Sequence, residues 1–132
     1  MAIRIDNIRP ALEKYDVEPE SPLRKAVHDL LGVQGFIGHL ENAKTLHSKD
    51  KDQALTALNR LLHILNAVEQ AIDPRKHNDI LIYHIKFVAT NVVDRAGALL
   101  QKHDIAGEQT LVTMDQIQSC ARKIRQVFSR DS

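Results

Sequence analysis

The chain has 132 residues, 43% of them apolar, a formal net charge of +1 at pH 7 and one cysteine, Cys120. That is enough for one domain, residues 1–132, around one core, and too apolar for a disordered chain. The near-neutral charge argues against a dedicated nucleic-acid or membrane surface, and a lone cysteine excludes an internal disulfide and suits a reducing cytosol.

Taken in chain order, apolar residues recur at helical spacing almost everywhere. The opening "MAIRIDNIRP" has no apolar stretch of the kind a secretory signal needs. No apolar run reaches the roughly 18 residues of a membrane span, and a cytoplasmic location is expected. "DNIRPALEKY" reads as a short first helix, with Asp6 or Asn7 as cap and Pro10 in its first turn. "DVEPE" breaks the chain. Ser21-Pro22 then starts a second helix, with a capping hydroxyl followed by proline at the first helical position. It is predicted to run to about His47, with "SKDKD" as the turn and Asp50 as the next cap. In the third helix Ala54, Leu58, Leu61, Leu65, Val68 and Ile72 form one stripe. Asp73-Pro74 ends it and is placed to cap the fourth. There Leu81, Ile85, Val88, Val92, Ala96 and Leu99 repeat the spacing. A β reading of "LIYHIKFV" gives way, because the helical pattern continues to Leu100. "HDIAGEQ" is a loop around Gly107. Thr113 and Gln116 make a capping-box pattern before Ile117, Ala121, Ile124 and Phe128. The expected fold is all-α: an antiparallel four-helix bundle with a short extra N-terminal helix.

The second helix carries the question of function. On a wheel at about 100° per residue, Leu23, Ala26, Leu30, Val33, Ile37 and Leu40 form the core stripe of "VHDLLGVQGFIGHLE". His28, Gly32, Gly35 and His39 gather on the opposite side. Leu31 and Phe36 flank that second face, and Arg24 and Lys25 lie one turn before His28. Each glycine inside a helix costs about 1 kcal/mol against alanine. Glycines on an outer face therefore need a reason beyond folding. Either a partner approaches closely there, or another segment such as Asp6–Tyr15 crosses over them. Arg24, Lys25, Lys49 and Lys51 read first as ordinary solvated charges.

The stretch "VHDLLGVQGFIG" resembles the phosphoacceptor motif of histidine-containing phosphotransfer domains, A-H-x-L-K-G-x-x-x-x-[LIV]-G. His28, Leu30, Gly32, Ile37 and Gly38 stand at the matching positions. The likeness covers roughly residues 21–72. It implies a helical bundle that docks receiver domains and relays a phosphoryl group through His28, with Gly32 leaving room for the docking. The partner-docking residues are then Arg24, Lys25, Leu31, Gly32, Gly35, Phe36 and His39. The chain departs from the family at Leu31, where the motif has a lysine or arginine that supports the phosphate; Arg24 or Lys25 stands one turn earlier. His28-Asp29 is also similar to the phosphoacceptor helix of sensor kinases, but nothing here looks like an ATP-binding domain. The chemistry needs an imidazole that is mostly neutral at pH 7; the receiver would bring the metal. The other reading is a non-catalytic adaptor, immunity or antagonist protein that binds one protein partner.

Other chemistries find no support. None of the seven histidines has the H-x-x-x-H, E-x-x-H or H-x-x-x-E spacing that puts two metal ligands on one helix face. Cys120 lies beside the Ile117, Ala121, Ile124 stripe and is expected to be a buried, inert thiol. The chain is expected to hold no metal or cofactor of its own.

Overall fold

A computed structural model describes residues 21–75, 77, 79–103 and 107–129. These form four helices and no strand: α1 (Pro22–Glu41), α2 (Ser48–Ala71), α3 (Asp79–Lys102) and α4 (Glu108–Ser129). The helix expected over "DNIRPALEKY" lies outside the described residues.

The helices pack as a bundle. α1 lies against α2 and α3, and α4 closes the ring by lying against the same two helices. The link 72–78 therefore joins α2 to α3 across the bundle rather than to a nearest neighbour. The C-terminal half of α1 (Val33, Ile37, Leu40) meets the N-terminal half of α2 (Ala54, Leu58) and the C-terminal half of α3 (Ala96, Leu99) around an apolar cavity of about 10 Å³. That is no larger than one water molecule requires, so the core there is closed. The stripes read from the sequence are its substance. Leu30, Leu61, Leu65, Ile85, Val92, Ile117 and Ile124 are all at most 1% exposed, and Ile37 is 4% exposed.

The helix ends depart from the sequence reading in four places. α1 stops at Glu41, not near His47. Continued helix would carry Lys44 and His47 onto the Ile37–Leu40 stripe. The chain instead leaves the helix, and Leu46 is buried from the loop. "SKDKD" is not a turn but the first turn of α2. Asp50 sits in the third helical position and accepts the His47 backbone N–H at 3.2 Å, its carboxylate well placed at the positive end of the helix. Asp73 does not cap α3. It shapes the link, accepting the Arg75 N–H at 2.9 Å through its side chain, while its own N–H donates to His77 Nδ1 at 3.0 Å. α4 begins at Glu108, with the Leu111 N–H bonded to the Gly107 carbonyl. Thr113 is thus a buried residue within α4 rather than its cap. The pattern Thr113–Gln116 is local, and burial of Thr110, Thr113 and Met114 extends the helix through it.

Candidate functional site

α1 starts as its sequence dictates. Ser21 caps it, the side-chain oxygen accepting the Arg24 backbone N–H at 3.3 Å, and Pro22 occupies the first turn. This fixes the helix phase and so the direction of every side chain along it. His28, Asp29, Gly32, Gly35 and His39 are exposed, as is Lys25; Arg24, Gln34, Phe36 and Gly38 are half-buried.

The three glycines of α1 divide by what surrounds them. A methyl group added at Gly32 or Gly35 would meet nothing within 4 Å. Among the described residues, then, no helix crosses these two positions; Asp6–Tyr15 lies outside them. Gly38 is different. A Cβ there would lie 3.4 Å from the Arg95 guanidinium. Arg95 reaches past it from α3 to grip Glu41, with Nε donating to Oε2 at 3.0 Å and a terminal nitrogen donating to Oε1. The bidentate bond to Arg95 holds the Glu41 carboxyl below its ordinary pKa and raises that of Arg95. Gly38 makes room for a structural ion pair, and Gly32 and Gly35 leave space on the surface.

One expected docking residue is a core residue instead. Leu31 is only 8% exposed and belongs to the hydrophobic core with Val27, one turn before it. The buried face of α1 is wider than the six-residue stripe, because α1 packs against two helices at once. Leu31 therefore offers a partner no apolar grip. Phe36 retains that role in part, half-buried and packed against the core edge.

The structure adds residues from α2, of which the sequence singled out only Lys49, as a solvated charge. Gly32, Val33 and Phe36 form one wall of a groove of about 630 Å³ whose other wall is Lys49, Asp52, Gln53, Thr56, Ala57 and Arg60. The floor is apolar and the rim polar, the usual make-up of a surface that receives another protein. The α2 residues recur at intervals of three and four. Only the pairing of α1 with α2 turns that flank into a groove wall, and the sequence carries no signal for the pairing.

Cys120 lies elsewhere, buried in α4. Its thiol donates to Asn66 Oδ1 of α2 and lies 3.6 Å from Glu69 Oε2. Burial, then the Glu69 carboxylate, raises its pKa, which keeps it a thiol. Among the described residues no group of three or more His, Cys, Asp or Glu is placed to hold a metal ion. Among them, too, no helix is long and apolar enough to cross a membrane. The candidate site is thus the exposed His28, one helical turn before Gly32, which lines the groove. No family model, curated protein or solved structure matches the chain.

Proposed function

We propose that this chain is similar in function to histidine-containing phosphotransfer domains: it docks receiver domains through α1 and the α1–α2 groove and carries a phosphoryl group on His28. The helices of the bundle run alternately up and down. The meeting of late α1 with early α2 and late α3 supports that direction. One observation carries the functional reading: His28 and Gly32 are exposed on the same side of α1, with open space above the glycine. A neutral imidazole nitrogen attacks the phosphorus of an aspartyl phosphate. An N–P bond forms, the P–O bond breaks and the aspartate leaves as carboxylate. The return step reverses this toward a second receiver. Metal and most phosphate stabilisation come from the receiver.

A second reading, an adaptor that binds a protein without chemistry, is favoured by Leu31. The cation expected three residues after the histidine is replaced by a buried leucine. The two readings part in one experiment. Incubation with phosphorylated receiver domains is expected to place acid-labile, base-stable label on this chain. His28→Gln abolishes the label and leaves docking intact. Absence of label from the parent protein, with Gly32→Leu still weakening capture of a bound partner, would establish the adaptor instead.

A further inference from the structure

The groove between α1 and α2 has an order of charges that neither reading uses. Lys49, Gln53, Thr56 and Arg60 follow one another at intervals of four, three and four, so they form one exposed row along α2. The row puts a cation at each end, about 16 Å apart at 1.5 Å per residue, with neutral side chains between. Among the described residues neither cation is paired with a carboxylate. Among them, too, Asp52 is the only acid that lines the groove, and it stands in the middle stretch beside Gln53.

The α1 wall is low. Gly32 has no side chain and open space above it, and the floor beyond it is Val33 and Phe36 from α1 with Ala57 from α2. Both walls are helices, whose backbone groups are already bonded along their own axes. An extended segment laid here would find no backbone partners for its own N–H and C=O groups. A helix satisfies its backbone internally and needs only a matching row of side chains.

We propose that this groove receives a helix of the partner protein whose facing row reads acid, apolar, apolar, acid at the same spacing of four, three and four. The proposal rests on the docking role given above, which both readings share. The two carboxylates meet Lys49 and Arg60, and the apolar pair seats on Val33, Phe36 and Ala57. A carboxylate in the middle of the row would face Asp52 and be repelled. Four, three and four reads the same from either end, so the match holds for either direction of the partner helix.

Titration of the full chain with synthetic peptides tests this. The first peptide is alanine-rich and about 16 residues long, past the length at which isolated helices are marginal, with Glu, Leu, Leu and Glu in the row. It is expected to shift the amide resonances of Gly32, Phe36 and Ala57. It is also expected to bind about three-fold or more tighter than two counterparts, one with Lys for both Glu and one with Leu and Glu exchanged. That advantage falls as salt rises. In the variant Lys49→Glu with Arg60→Glu, both at exposed positions, the preference turns to the Lys peptide while the circular dichroism of the bundle is retained. Absence of binding, equal binding of the Glu and Lys peptides, or resonance shifts confined to other faces overturns the proposal. The outcome is separable from that of phosphotransfer. Loss of the peptide preference with label still reaching His28 removes this proposal alone; absence of label with the preference kept removes phosphotransfer alone.

Discussion

At the scale of single residues, the glycines of α1 separate by surroundings rather than by identity. Gly32 has open space where a methyl group would go, so Gly32→Ala is expected to stabilise the protein by about 1 kcal/mol. Gly38→Ala removes the same helix penalty but presses a methyl group toward Arg95 at 3.4 Å. Its gain is expected to be smaller, since the added methyl group comes to the edge of van der Waals contact with the guanidinium that grips Glu41. Denaturant melts of the two variants check this contrast; a Gly32→Ala protein less stable than the parent would defeat the open-face reading. The Glu41–Arg95 pair makes its own prediction. The Glu41 carboxyl is held below its ordinary pKa of 4.5. Its contribution is therefore present above that ordinary value and lost as pH falls through the lower folded value. Both side chains are about a third exposed, so solvent screening keeps the contribution near or below about 1 kcal/mol. Glu41→Gln should melt below the parent at pH 7, and the difference should shrink in melts taken progressively below pH 4.5.

At the scale of the element, α1 is set by its ends and by its two buried neighbours. Ser21 is 4% exposed and bonds the Arg24 N–H. Ser21→Ala is expected to cost about 1 kcal/mol, with faster amide exchange in the first turn of α1 as the measurement. This start was legible, because Ser-Pro is a local signal acting on adjacent backbone. The C-terminal end was not. What stops α1 at Glu41 is the unsuitability of Lys44 and His47 for the core and the burial of Leu46, and these depend on what lies opposite. The same holds for Thr113. Its capping pattern with Gln116 is real as a pattern, but burial within the bundle decides that the residue sits inside α4. Leu31 was misplaced for a related reason. A wheel drawn for one buried stripe assigns it to the flank, and packing against both α2 and α3 widens the stripe to include it.

At the scale of the whole molecule, the bundle rests on a core in which Leu61, Leu65, Val92 and Ile117 are fully buried. Leu61→Ala removes a fully buried side chain and is expected to cost about 2–5 kcal/mol, on the order of a large-to-small core change, read as a fall in the urea midpoint. The all-helical class, the four long helices and the central apolar stripe of each followed from the sequence alone, since the 3.6-residue period of apolar side chains is a property of one stretch of chain and its solvent; the buried residues that flank the stripes, among them Val27, Ile64, Ile82, Ala89 and Val93, did not. The exposure of His28, Gly32 and Gly35 followed from the same period. The order of packing around the ring, the crossing link between α2 and α3, and the groove that joins Gly32 and Phe36 to Lys49 and Arg60 were decided only by tertiary structure. Those features depend on which apolar stripe faces which. All four stripes are rich in the same aliphatic side chains, and hydrophobic burial is non-directional, so no stripe by itself names its partner.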